Sequence, residues 1–85
     1  MTGMPGERRW IEDGETHIDL RGLAPPQPLV TILRLLRSVQ DDTRVVAYLD
    51  RDPVMLYPEL AEMGWEAERT AGGPGEVTLR LRRTQ

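Results

Sequence analysis

The chain has 85 residues, of which 39% are hydrophobic and 29% charged, with a formal net charge of -3, which is typical of one small globular domain. It contains no cysteine, and all 11 basic residues are arginine, which excludes disulfides, thiolate nucleophiles, Cys-ligated metal sites and Schiff-base lysine chemistry. No apolar run approaches the roughly 18 residues of a membrane span and the first residues lack a signal-peptide core, so we expect a cytoplasmic protein without a membrane partner.

The beginning of the chain is predicted to be a tail followed by a hairpin. Residues 1–8 carry no periodic apolar pattern, so they are assigned to a disordered tail and the domain to residues 9–85. A short strand signal lies on each side of Asp13-Gly14, a dipeptide typical of a type I′ turn because both turn residues need positive φ. The alternative is that residues 8–14 are a loop leading into a first strand at residues 15–20.

A proline-rich segment separates this strand from the first helix. Pro25, Pro26 and Pro28 are tolerated in the first turn of a helix, where backbone N–H groups have no partner. Apolar residues then recur at i, i+3, i+4 and i+7 over residues 29–39, which predicts an amphipathic helix.

The middle of the chain predicts a central strand and a second helix. Residues 44–50 predict a strand, and residues 45–49 within it are apolar on both faces, as expected for a strand covered at least partly on both sides. Asp52-Pro53 then predicts a turn, followed by a short helix that begins near Tyr57 and stops at Gly64.

The last segment predicts a hairpin. Residues 65–70 and 76–83 alternate between polar and apolar, and residues 71–75 contain the turn-forming glycines and proline. Pairing that is symmetric about this loop places Glu66 opposite Arg80, so opposite charges meet on the outer face.

These elements predict an α/β fold of the two-layer (α+β) sandwich type. The order β-α-β-α-β-β gives a mixed four-stranded sheet with two helices on one face, and the N-terminal hairpin would add an extra strand.

The segment that precedes the first helix carries a resemblance to a known superfamily. Asp19-Leu20-Arg21-Gly22-Leu23, followed by Pro26 and Pro28, resembles the opening motif of TusA/SirA-like sulfur carriers. In those proteins the motif leads to Cys-Pro-x-Pro, and the cysteine carries a persulfide. The cysteine position is Pro25 here, so sulfur-carrier activity is not carried over to this chain.

A closer resemblance is to the cysteine-less bacterial branch filed as domain of unknown function 2249. Its Asp-His-Asp-Pro and Leu-Tyr motifs correspond to Asp50-Arg51-Asp52-Pro53 and Leu56-Tyr57, and its Gly-Pro hairpin corresponds to Gly73-Pro74-Gly75. The similarity spans about residues 16–83 and implies a TusA-like fold. The family histidine is Arg51 in this chain, which removes the best ligand for a metal or haem.

The strand ends beside the helix N-termini are candidate positions for a ligand. Arginines, glycine amides and helix N-termini together can hold an anion or an anionic cofactor. The alternative, which we favour, is that Arg21 pairs with a nearby aspartate and ties the strand ends together. The candidate ligand-binding residues are Arg21, Gly22, Gln27, Arg51 and Asp52.

The sheet face away from the helices is a candidate interface for a protein partner or a second copy. Its candidate residues are Trp10, His17, Val45 and Ala47. His17 is the single histidine, so we expect no metal site. The arginines near the C-terminus alternate with glutamates across the hairpin, so a nucleic-acid partner is disfavoured. We therefore predict a non-enzymatic accessory or regulatory domain that acts by protein interaction or self-association through the open sheet face, with no cofactor. The alternative is a module that binds a small anion or a cofactor at the helix N-termini.

Overall fold

The computed structural model describes residues 8–84, which form a five-stranded sheet and two helices. The elements in chain order are β1 (Arg8–Glu12), β2 (Glu15–Asp19), α1 (Gln27–Ser38), β3 (Val45–Leu49), α2 (Leu56–Met63), β4 (Trp65–Ala71) and β5 (Val77–Arg83). Neither described helix is long and apolar enough to cross a membrane. Residues 1–7 of the predicted tail lie outside the described part, and its last residue, Arg8, begins β1 instead.

The sheet has the strand order β1-β2-β3-β5-β4. Strands β2 and β3 are parallel and are joined through α1, whereas all other neighbours are antiparallel. The N-terminal hairpin is present, because Asp13 and Gly14 both have positive φ, at 55° and 76°. The mixed α/β architecture and its extra N-terminal strand are therefore confirmed.

One apolar core lies between the sheet and the two helices. Alternate residues of the inner strands point into this core, and α1 and α2 each pack one apolar face against them. Val45 and Ala47 belong to this core and are 0% exposed. Their assignment to an interface on the open sheet face is therefore corrected: period-two alternation puts Val46 and Tyr48 on that face instead.

The helices begin and end for local reasons. Helix α1 begins at Gln27, slightly earlier than the apolar pattern indicated, with Pro28 in its first turn. Pro58 is the third residue of α2, where a backbone N–H would have no intrahelical partner, so it costs no helix bond. Gly64 ends α2 in the left-handed region at φ 80°, as predicted.

The C-terminal hairpin forms in a register two residues away from the predicted one. Glu66 lies opposite Arg82 rather than Arg80. The reason is that Ala71 still pairs with Val77, and the loop is closed afterwards by Gly72 N–H donating to the Glu76 carbonyl at 3.0 Å. A shift of two residues keeps every side chain on its face, so opposite charges still meet.

Candidate functional site

The carboxyl ends of β2 and β3 lie side by side, and from each of them the chain continues toward the beginning of a helix. The Leu20 N–H donates to the Tyr48 carbonyl at 2.9 Å and holds the two strand ends together. In open sheets this edge, next to helix N-termini, is where ligands commonly bind. Four of the five predicted ligand-binding residues lie in the segments that follow these strand ends, and Gln27 begins α1.

Arg21 is bound to Asp19. The Asp19 carboxylate accepts the backbone N–H of Arg21 at 3.1 Å, its Nε at 2.9 Å and its Nη2 at 2.8 Å. A further hydrogen bond comes from Arg8 at 3.2 Å. The hydrogen bonds from the Arg21 guanidinium hold the pKa of Asp19 well below its usual range, against the opposing effect of burial. Arg21 thus pairs with a nearby aspartate, as the favoured alternative has it, but Asp19 ends the same strand that Arg21 follows, so this pair does not join the two strand ends.

The backbone donors expected for an anion are also used within the chain. Gly22 N–H donates to the Asp50 carboxylate at 2.6 Å, and Gln27 N–H donates to the Ala24 carbonyl at 2.9 Å. The carboxylate of Asp50 therefore occupies the position that a bound anion would take at Gly22.

Asp52 is held by the elements that follow it. Its carboxylate accepts a hydrogen bond from Tyr57 Oη at 2.6 Å and pairs with Arg69. Burial of the phenol, followed by its hydrogen bond to Asp52, raises the pKa of Tyr57 to about 12. Arg51 next to it is exposed, and it makes no hydrogen bond or ion pair within residues 8–84.

Between the two helix entrances the structure has a pocket of about 270 Å³. Its lining is mostly apolar and comes from two segments, residues 20–29 and 49–56. Val54 and Met55 are 64% and 70% exposed, so apolar surface continues from the pocket to the solvent. The lining residues are Leu20, Leu23, Pro25, Pro26, Pro28, Leu29, Leu49, Asp50, Arg51, Asp52, Pro53, Val54, Met55 and Leu56.

Sequence reasoning found only the polar part of this pocket. Arg51 and Asp52 line it, whereas Arg21, Gly22 and Gln27 do not. The sequence pattern predicts only core and helix-entry roles for the leucines and prolines. The available signal was the unusual density of prolines beside leucines at the two helix entrances, because such segments form apolar walls without backbone donors.

The open sheet face carries an aromatic cluster. The rings of Trp10 and His17 are stacked with their centroids 5.4 Å apart, and the centroid of the Tyr48 ring lies 5.9 Å from each of theirs. His17 Nδ1 is 2.8 Å from Tyr48 Oη. Trp10 remains 37% exposed, while Val46 beneath this layer is 1% exposed. The structure thus places the predicted residues Trp10 and His17 on this face, together with Tyr48, which the sequence reasoning did not single out.

The basic C-terminal strand is paired with acidic and carbonyl groups. Arg80 lies 3.5 Å from Glu15, Arg82 pairs with Glu66, and Arg83 donates to the Asp41 carbonyl at 2.9 Å. Residues 8–84 contain no group of three or more acidic, histidine or cysteine side chains that could hold a metal ion.

Comparison with known families gives a match over most of the chain. The model of a family described as "Uncharacterized conserved protein (DUF2249)" matches residues 17–83. The matched region runs from β2 to the end of β5, so it includes the apolar pocket and leaves out β1. A search of curated proteins found no match.

Proposed function

We propose that this chain, which belongs to the DUF2249 family of uncharacterized conserved proteins, is a non-enzymatic binding module that uses the apolar pocket between the entrances of α1 and α2. The observation that carries the proposal is the pocket itself, about 270 Å³ in volume and lined by five leucines and four prolines. Apolar pockets with a few polar groups at the mouth are typical ligand sites.

The ligand class follows from which polar groups near the pocket already have hydrogen-bond or ion-pair partners within the chain and which do not. Arg21 is held by Asp19 and the Gly22 amide by Asp50, so neither supports a small free anion, the alternative ligand that the sequence suggests. Arg51 is the exposed cation among the lining residues, and the two carboxylates beside it are already engaged, Asp50 by the Gly22 N–H and Asp52 by Tyr57 and Arg69. The pocket itself accepts aliphatic carbon. The ligand is therefore a short aliphatic group that carries a carboxylate.

Two sources share this chemistry: a free short-chain fatty acid and the C-terminus of a protein that ends in an aliphatic residue. The volume lies just below the range of about 300–1,000 Å³ for drug-sized ligands, so a short chain or a single side chain fits. Hexanoate and a peptide that ends in leucine are therefore the two carboxylate ligands compared in the experiment.

The test is a titration of the ¹⁵N-labelled protein with hexanoate, hexanol and the leucine-terminated peptide. The expected result is a set of amide shift changes confined to residues 20–29 and 49–56. Arg51→Gln should weaken the binding of hexanoate but not the binding of hexanol. Arg34→Gln, an exposed arginine on α1, is the matched control. Shift changes elsewhere only, or none with any of the three probes, would refute the proposal.

Interaction with a protein partner or a second copy through the open sheet face remains a second candidate. The partial exposure of Trp10 supports it. The apolar area available there is small, because Trp10 already stacks on His17 and Tyr48. Placement in the bacterial cytoplasm and kinship to the TusA-like sulfur carriers stay predictions that belong to this proposal.

A further inference from the structure

Within residues 8–84, the sulfur of Met55 is the one most open to solvent. The chain has four methionines and no cysteine, so no thiol of its own competes with the thioethers for an oxidant. Met55 is 70% exposed, whereas Met63, the other methionine of the described part, is half-buried and packs against the core. An oxidant dissolved in water therefore reaches Met55 more readily than Met63.

Met55 is also part of the pocket wall. It lies directly before α2, in the segment 49–56 that supplies one wall, and it lines the pocket beside Val54 and Leu56. Leu56 is 0% exposed and belongs to the core, so the exposed Met55 lies on the solvent side of the pocket. Methionine suits this position, because its unbranched, polarisable side chain adapts to apolar groups of different shapes.

We propose that Met55 is an oxidation site that controls this pocket: its conversion to methionine sulfoxide by a peroxide weakens the binding of aliphatic ligands. The inference rests on the proposed function of the pocket and names how that site is regulated. The thioether sulfur attacks one peroxide oxygen, so the S–O bond forms while the O–O bond breaks. The sulfur loses two electrons, and the leaving hydroxide takes the proton of the transferred oxygen and departs as water.

The sulfoxide changes the chemistry of the pocket wall. Oxidation converts a flexible apolar side chain into a polar one. An aliphatic ligand that packs against it removes water from the S–O group without supplying a hydrogen-bond donor, and this desolvation is unfavourable. The dissociation constant for aliphatic ligands should therefore rise about tenfold.

The reverse step needs a second protein. Reduction of the sulfoxide consumes two thiol groups, which become a disulfide, while the oxygen leaves as water. This chain has no cysteine and cannot supply these thiols. A methionine sulfoxide reductase has this activity, so it is the class of enzyme that restores the pocket.

Oxidation of Met55 should leave the fold intact. Met55 is the N-cap of α2, but its side chain makes no capping hydrogen bond and is not part of the buried core. Met63 differs, because it packs against the core and does not line the pocket. Its oxidation should lower stability without acting on the pocket directly. A loss of binding without a loss of stability therefore distinguishes oxidation of Met55 from general damage.

The test is a titration of the ¹⁵N-labelled protein with hexanol before and after treatment with hydrogen peroxide. Hexanol is uncharged, so its affinity reports on the apolar wall and not on Arg51. Peptide mass mapping should show Met55 oxidised earlier than Met63, and the hexanol dissociation constant should rise about tenfold. Incubation with a methionine sulfoxide reductase and dithiothreitol should restore the affinity. Thermal denaturation shows whether the oxidised protein remains folded.

Three variants are the matched controls. Met55→Leu keeps the wall apolar without sulfur, so it should bind hexanol as the wild type does and keep its affinity after peroxide treatment. Met55→Gln places a polar group of similar length there and should bind weakly without any oxidant. Met63→Leu should remain sensitive to peroxide. Met1 and Met4, which lie outside the described residues, are the same in every protein compared.

These outcomes decide the inference. An unchanged hexanol affinity of protein in which Met55 is fully oxidised would overturn it, and so would an equal loss of affinity in Met55→Leu. In both cases hexanol still binds the untreated wild type, so the proposed function of the pocket stands. Untreated wild type that binds neither hexanol nor hexanoate overturns the pocket function and this regulation with it. A loss that depends on Met55 and is reversed by the reductase supports the inference.

Discussion

The carboxylate of Asp50 lies 2.6 Å from the backbone nitrogen of Gly22, although the two residues are 28 positions apart in the chain. This hydrogen bond joins the loops that leave two adjacent parallel strands. It also places a fixed negative charge where an anion would otherwise bind, because a carboxylate repels a second anion at the same donor. The edge of the sheet therefore keeps an apolar pocket and lacks the anion cradle that its arginines and glycine predict.

The first prediction concerns this hydrogen bond. Asp50→Ala leaves the Gly22 N–H without its acceptor, so the free energy of unfolding should fall by about 1–2 kcal/mol. Asp50→Asn keeps an oxygen acceptor and should lose less. Urea denaturation measures both. Asp42→Ala, which removes an exposed aspartate before β3, is the control, and an equal loss there would show that the Gly22 contact adds nothing.

The second prediction concerns the pH dependence contributed by Asp19. Its pKa is lowered in the folded state from the ordinary value of 3.8, so below that pH the unfolded chain takes up a proton that the folded protein does not. Stability from this group is fully present above about pH 4 and is lost as the pH falls further. Asp19→Asn should cost about 2–4 kcal/mol at neutral pH and flatten the acid slope.

Urea unfolding curves collected from neutral to acid pH check this prediction. Arg21→Gln should flatten the same slope, because Arg21 supplies the main hydrogen bonds to the carboxylate. An unchanged acid slope in both variants would contradict the proposed role of the pair.

The third prediction concerns Tyr57. Its pKa of about 12 follows from burial and from its hydrogen bond to Asp52, whose negative charge opposes ionisation of the phenol. The unfolded chain ionises near pH 10 while the folded protein does not, so stability should fall between about pH 10 and 12. The chain has two tyrosines. The absorbance titration of the wild type minus that of Tyr57→Phe therefore isolates this group.

Asp52→Asn is the matched variant for the phenol. Removing the carboxylate charge should move the Tyr57 titration back toward pH 10, although burial still raises it. A titration that is identical in the wild type and in Asp52→Asn would show that the hydrogen bond does not affect the phenol.

The fourth prediction concerns the end of α2. Gly64 has φ 80°, and a Cβ built there meets only Thr84 Oγ1 at 3.9 Å, so there is room for a methyl group. Gly64→Ala should therefore cost about 1 kcal/mol through backbone strain alone. Gly64→Asn should recover part of this loss, because asparagine tolerates the left-handed region. Thermal denaturation of the three proteins checks the order, and an alanine variant as stable as the wild type would contradict it.

Much of the fold follows from local patterns in the sequence. Asp13-Gly14 predicts its own turn, because few other dipeptides adopt two positive φ values. Gly64 likewise marks the end of α2 within one residue. Register is less local: the C-terminal hairpin differs from the symmetric expectation by two residues, because Ala71 extends β4 by one more pair before the loop.

The candidate site was harder to predict than the fold. Polar residues at strand ends were recognised as a group, but which of them are engaged depends on contacts between distant segments. Arg21 pairs with Asp19, two residues before it, whereas the Gly22 N–H is engaged by Asp50, 28 residues further along the chain. The interface prediction shows the same limit. In a strand that is apolar on both faces, alternation cannot say which of Val45 and Val46 points into the core.

By itself, the sequence determined the order of the elements, the absence of thiol and lysine chemistry, the turn at Asp13-Gly14 and the end of α2 at Gly64. These properties depend on steric preferences and periodicities within a few residues. Only the tertiary structure decided that Asp50 binds the Gly22 amide, that leucines and prolines from two segments enclose a pocket, and that Trp10, His17 and Tyr48 stack on the open sheet face. Each of these depends on the distance between groups far apart in the chain, and that distance exists only once the core has brought both helices onto one face of the sheet.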